Sequence, residues 1–234
     1  MDIRMKNLLT LFTIMQLFVS CNGQGKENKT YYENGTLMEH NYLDENGEVT
    51  GEWKVYYRSG KLLRTGYIRN GKDEGEVKQY HENGELRFVI NYKNGLQDGE
   101  WKEYSYDGKL NFIFNYKNGV QDGEAKSYFD GKLQTIVLYI NGETKKRKEF
   151  HKNGKLSAEG NYINSKEDGE WKYYNENGKL IHLGNYKNGA KIGEWKGYYF
   201  ADDTLSRLEI YKNGELQEAQ LFNEYGQFEK TLKY

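Results

Sequence analysis

Proline is absent from the 234 residues. A ladder of paired strands has little room for a residue without an N–H, so the absence suits an all-strand chain. Cysteine occurs once, as Cys21, which excludes a disulfide framework within the chain. Neither charge is in excess. A net charge of -1, with Lys and Glu alternating locally, leaves no basic footprint for nucleic acid. Long apolar runs are missing too. The one present, Leu8 to Val19, falls short of the ~20 residues that a membrane-spanning helix needs. A mean hydropathy of -1.00 would ordinarily accompany disorder. Against that stand 22 Tyr, 10 Phe and 4 Trp, since each ring buries a large area and a short set of rings can hold a thin sheet together.

What is abundant is Asn-Gly. It recurs at Asn34-Gly35, Asn70-Gly71, Asn83-Gly84, Asn94-Gly95, Asn118-Gly119, Asn153-Gly154, Asn177-Gly178, Asn188-Gly189 and Asn213-Gly214. Between alternating apolar residues this dipeptide signals a tight hairpin, because the turn needs positive φ and Gly supplies it without a Cβ clash. Gly-Glu-Trp recurs in step at Gly51, Gly99, Gly169 and Gly193, with degenerate copies Gly75-Glu76-Val77 and Gly123-Glu124-Ala125. The step is 24 residues, except for 46 between Gly123 and Gly169. That interval holds an eroded copy in which Lys145-Lys146-Arg147 takes the Gly-Glu-Trp position. Partial copies at Tyr31–Leu37 and Phe222–Phe228 make about eight hairpin units.

Each unit reads as strand, two-residue turn, strand, longer turn. A two-residue turn at Asn177-Gly178 would pair Asn175 with Leu180 and Trp171 with Gly184. Alternation then places Trp53, Leu62, Leu86, Tyr92, Trp101, Leu110, Tyr116, Leu133, Tyr139, Leu156, Tyr162, Trp171, Leu180, Tyr186 and Trp195 on one face, the expected core. The other face carries one ring per unit: Tyr56, Tyr80, Tyr104, Tyr128, Phe150, Tyr174 and Tyr198. Lys54, Lys78, Lys102, Lys126, Lys148, Lys172 and Lys196 run beside these rings. Gly66 opposite Trp53 and Gly184 opposite Trp171 leave space for an indole, while Val77 in a tryptophan position faces the larger Ile90. The expected fold is all-β: an elongated single-layer antiparallel meander of tandem hairpins. It advances by ~10 Å per unit of two strands.

The unit Gly-Glu-Trp-Lys-x-Tyr-Tyr-x-Asn-Gly-Lys-Leu followed by Asn-Tyr-Lys-Asn-Gly resembles the variant MORN repeat, over roughly residues 31 to 230. Bacterial members are often labelled YwqK-type antitoxins, and MORN modules elsewhere are linked to protein scaffolding and phospholipid contact. The resemblance implies a binding scaffold. It fixes the architecture more firmly than the function.

The first residues read as an address. Arg4 and Lys6 precede the apolar run, which Ser20 and Cys21 close, the layout of a secretory signal over 1–20. Leu17-Phe18-Val19-Ser20-Cys21 resembles a bacterial lipobox, with Phe18 where that family prefers Leu. The resemblance implies lipid attachment at Cys21, and Asn22 after it implies the outer membrane. Without lipid the product would be secreted. Residues 21–30 are expected as a polar tether and 31–234 as the array.

No catalytic constellation emerges. His81 and His151 occupy a position that elsewhere holds Tyr57 or Phe129, which reads as space-filling rather than metal ligation or base chemistry. The Glu row from Glu52 to Glu194 lacks the asymmetric cleft a paired-carboxylate hydrolase needs. The glycines lack a strand–loop–helix context for phosphate. Lys145-Lys146-Arg147-Lys148 reads as a solvated hairpin tip. Catalytic, metal and cofactor sites are all expected to be absent. The expected function is a lipid-anchored repeat protein that binds a macromolecule, a protein first, across the aromatic ladder. The rivals are an antitoxin or immunity lipoprotein that neutralises a toxin, and a glycan or cell-wall binder.

Overall fold

The computed structural model describes residues 25–200 and 203–234. Every regular element among them is a strand, and the 20 strands form one open antiparallel sheet in which neighbours in sequence are neighbours in space. The meander expected from the sequence is the fold. It begins earlier than expected, because Lys26–Tyr31 is already a strand paired with Leu37–Leu43. The polar stretch read as a tether is therefore partly sheet. Cys21 and the signal-like segment lie outside the described residues.

The Asn-Gly pairs divide into two turn types, which the sequence reading treated as one. At Asn70, Asn94, Asn118, Asn188 and Asn213 the Asn itself takes φ near +50°, and the flanking residues pair directly, as in Lys187↔Ala190. These are two-residue turns of the type that matches the twist of the strands. Asn141-Gly142 belongs with them. At Asn34, Asn83, Asn153 and Asn177 only the Gly is at positive φ. There the Gly N–H donates to the carbonyl three residues back, and that residue's own N–H reaches past the Gly, as in Gly178 N–H to Asn175 O at 2.8 Å and Asn175 N–H to Lys179 O at 2.9 Å. This is a three-residue loop with a glycine bulge. The unit is thus strand, three-residue loop, strand, two-residue turn: the reverse of the expected order at Asn177 and Asn188.

The correction changes one face assignment. Trp171 pairs with Gly184 as expected, but Tyr174 pairs with Leu180, because a bulge at Ile181 absorbs the extra loop residue. Cross-strand partners share a face. Leu62, Leu86, Leu110, Leu133, Leu156 and Leu180 therefore sit with the ladder rings Tyr56, Tyr80, Tyr104, Tyr128, Phe150 and Tyr174, not with the tryptophans.

The glycine of Gly-Glu-Trp has its own purpose. It lies at positive φ in all six copies, from +62° at Gly193 to +109° at Gly99 and Gly123. Between Gly160↔Trp171 and Tyr162↔Glu167 the strand Lys166–Tyr174 makes four steps against two on its partner. Gly169 turns that bulge. The eroded copy shows the converse. Glu143–Phe150 makes two steps against one over Leu138↔Lys146 and Tyr139↔Thr144, with no positive-φ residue in the strand. The preceding loop has also shrunk to the two residues Asp130-Gly131. One residue lost at each place accounts for the 46-residue spacing. Lys145, Lys146 and Arg147 lie in mid-strand rather than at a hairpin tip, and each is paired with an acid: Glu143 at 2.7 Å, Glu159 at 3.5 Å and Glu149 at 2.8 Å.

A single layer buries little. Among the described residues, Val77, Ala125, Ala158, Trp171, Trp195 and Ala219 are the buried apolar ones, and all but Ala158 occupy the tryptophan position. Trp171 and Trp195 lie across Gly160 and Gly184 of the preceding strand, where a Cβ would fall inside the indole. Their Nε1 groups donate to Asn161 O at 3.3 Å and Asn185 O at 3.1 Å. Trp101 meets Ile90 at the equivalent place and stays half-exposed. Tyr162, Trp171, Tyr186, Trp195 and Tyr211 form an edge-to-face chain with centroids 5.0 to 6.3 Å apart. This is the most coherent core of the molecule.

Candidate partner-binding face

The opposite face carries the ladder. Tyr56, Tyr80, Tyr104, Phe150, Tyr174 and Tyr198 end, and Tyr128 lies one residue before the end of, the strand that carries the tryptophan position, and each is half-buried. A bulge beside the loop of each of these units sets a leucine opposite the ring, Leu133 serving Tyr128 and Leu205 serving Tyr198. The result is an alternating Tyr–Leu row along one margin of the sheet.

Beside it runs a second row, continuous through the pairings: His40, Lys54, Thr65, Lys78, Val89, Lys102, Ile113, Lys126, Ile136, Lys148, Glu159, Lys172, Leu183, Lys196, Leu208. Lysine alternates with aliphatic side chains over most of it. Five lysines pair with the glutamate two residues earlier, from 2.5 Å at Lys102–Glu100 to 3.8 Å at Lys54–Glu52. Those glutamates raise the pKa of Lys78, Lys102 and Lys172 above the ordinary lysine value by accepting their hydrogen bonds. The face is therefore amphipathic and locally neutral.

A concavity lies between two consecutive ladder rings. Tyr174, Gly178, Lys179, Leu180, Tyr198 and Asp203 line an open groove of about 510 Å³. The Tyr174 hydroxyl donates to Glu159 Oε1 at 3.3 Å, and burial, with that carboxylate beside it, raises the phenol's pKa.

The position read as space-filling does more. Tyr32 and Tyr57 donate their hydroxyls to Tyr56 O and Tyr80 O at 2.7 Å, each one unit ahead. His81 and His151 reach Tyr104 O at 3.2 Å and Tyr174 O at 2.8 Å through Nε2, which makes that nitrogen the protonated one. Phe129 cannot donate and is 73% exposed. Asn175 and Asp44 instead hold their own loops, as Asn175 Oδ1 accepts from the backbone of Asn177 and Lys179. The sequence signal was present in the restriction of the bridging rings to donor-tipped side chains. The opposite margin is bridged as well. Asp98, Asp122 and Asp168 each accept the backbone N–H of the turn Asn one unit on, at 3.0 to 3.4 Å.

Among the described residues no group of His, Cys, Asp or Glu could hold a metal ion.

Six stretches, residues 24–44, 49–70, 73–94, 97–118, 143–164 and 167–188, match the MORN repeat variant. The chain belongs to the MORN repeat variant family. The unmatched interval 119–142 holds the unit of the MORN array with the shortened loop and Ala125 in the tryptophan position. None of the curated proteins matches. Among solved structures, a chain of the "Crystal Structure of TcdB2-TccC3-Cdc42" is similar at 13% identity with a TM-score of 0.24, the match covering 83% of this chain and 13% of that one. A likeness of that size carries no argument. The chain spans only that 13% of its relative's length.

Proposed function

We propose that this MORN array is a non-enzymatic, lipid-anchored adaptor that binds a partner protein along the Tyr–Leu face. The observation that carries the reading is the half-buried ring, from Tyr56 to Tyr198, set in seven successive units against a leucine of the same hairpin. Tyrosine supplies rigid amphipathic contact at low entropy cost, and interface cores favour rings over free charge. Five of the seven lysines beside it are paired with glutamates, so the face is suited to a partner of mixed polarity rather than to a polyanion. An antitoxin or immunity lipoprotein would be one form of this activity. A glycan reading draws its support from the groove between Tyr174 and Tyr198, where two rings stand beside Lys179 and Asp203.

The test is the Tyr104→Ala, Tyr128→Ala double variant. Its β-sheet circular dichroism should persist while crosslinked capture of the envelope partner is lost. Unchanged capture would remove the ladder from the binding surface. Capture of peptidoglycan, lost in the same variant, would transfer the surface to the glycan reading. The anchor is tested separately: Cys21→Ser should move the protein from the membrane fraction to the soluble one, and unchanged fractionation would refute lipidation.

A further inference from the structure

The described residues contain eleven Asn-Gly pairs, at Asn34, Asn46, Asn70, Asn83, Asn94, Asn118, Asn141, Asn153, Asn177, Asn188 and Asn213. Asn-Gly is the dipeptide most prone to spontaneous deamidation, because a glycine amide nitrogen attacks the Asn side chain with no Cβ in its path. The glycine N–H must be free to lose its proton. A hydrogen bond to that N–H stabilises the reactant and has to open first.

The array occupies this N–H almost everywhere. In the three-residue loops it donates within the loop, from Gly35, Gly47, Gly84, Gly154 and Gly178 to Tyr32, Asp44, His81, His151 and Asn175, at 2.8 to 3.1 Å. In the two-residue turns it donates to a carbonyl of the preceding unit: Gly95 to Asp73, Gly119 to Gln97, Gly142 to Gln121, Gly189 to Glu167 and Gly214 to Lys191, at 2.8 to 2.9 Å. Each such turn leans on the turn before it. Asn70-Gly71 is the first two-residue turn of the array. The connection ahead of it, Asp44–Gly47, is a three-residue loop, and no carbonyl beside it accepts the Gly71 N–H. Among the described residues, Gly71 is the one Asn-Gly glycine whose N–H meets no acceptor. The Asn70 N–H also lacks the carboxylate bond that Glu74, Asp98, Asp122 and Asp168 give to Asn94, Asn118, Asn141 and Asn188. Both residues are exposed.

We infer that Asn70 is a self-modification site, the one place where the folded array deamidates readily. The Gly71 nitrogen gives its proton to water and bonds to Asn70 Cγ. The Cγ–Nδ2 bond breaks and ammonia leaves, giving a cyclic imide. Water then opens either imide carbonyl to yield aspartate or isoaspartate. The product carries a new negative charge, and the isoaspartate form adds a backbone atom to the two-residue turn.

The experiment is peptide mapping by mass spectrometry of the folded full chain held in mildly alkaline buffer, with isoaspartate detected by enzymatic methylation. Asn70 should convert roughly fivefold or more faster than Asn94, Asn118 or Asn188, the factor expected for one intramolecular hydrogen bond. Equal rates in the folded chain would overturn the inference. A parallel incubation in denaturant separates structure from local sequence, since Arg69 precedes Asn70 where Lys precedes the others. There the rates should converge. If Asn70 stays fastest when unfolded, the preference belongs to the sequence and the inference falls.

Discussion

Trp171 and Trp195, at 4% and 3% exposure, are buried in a sheet one layer thick because the residue each crosses has no side chain. Restoring one there is costly. Gly184→Ala drives a Cβ into the Trp195 ring, and both backbone and indole must shift. Overpacking of this kind costs about 1–3 kcal/mol. Gly197 is equally enclosed, but its Cβ would meet His182 and Ser206 at an ordinary 3.5 Å with no positive φ to oppose it. Gly197→Ala should be neutral or stabilising, by up to about 1 kcal/mol through the unfolded chain. Urea midpoints of the two variants against the parent check the contrast, and equal losses would remove the crossed-glycine explanation. The Trp–Gly relation was legible in the sequence as a volume argument across a hairpin. What it missed is that Trp195 covers the glycine of the preceding strand, because proximity between hairpins leaves no mark at the turn.

At the scale of the element, identical dipeptides perform different tasks. Asn188 sits at φ +52° in a two-residue turn, whereas Asn177 is absent from the positive-φ residues and leaves that conformation to Gly178. Asn188→Ala should therefore cost about 1 kcal/mol, because Ala lacks the polar side chain that lets Asn tolerate the left-handed region, and Asn177→Ala little. Matching losses in chemical denaturation would contradict the assignment of the two turn types. Both sites read as Asn-Gly after a charged residue, Glu176 or Lys187, so local sequence could not separate them. The distinction came from the count of residues between paired strands, and one bulge at Ile181 hid it by restoring the Trp171–Gly184 register. The same hidden bulge carried the leucines to the ladder face. The eroded unit was visible as a spacing defect. Its two causes, a shorter loop and a bulge without its glycine, needed the pairings.

For the whole molecule, each strand touches little beyond its chain neighbours, so stability is a sum of unit and interface terms rather than the property of one core. The binding face is built in the same way, one ring and one leucine per unit. Partner affinity should then follow the number of units engaged. The central claim is that a 24-residue module, set by glycine at three positions, generates both faces. Excision of residues 99–122 tests it most directly, because Asp98 is then followed by Gly123 in the phase that Gly99 held. Urea unfolding of the excised chain should show a folded β-sheet with a cooperative transition near that of the parent, while excision of half a unit should abolish it. Loss of the fold in both excisions alike would contradict the modular account.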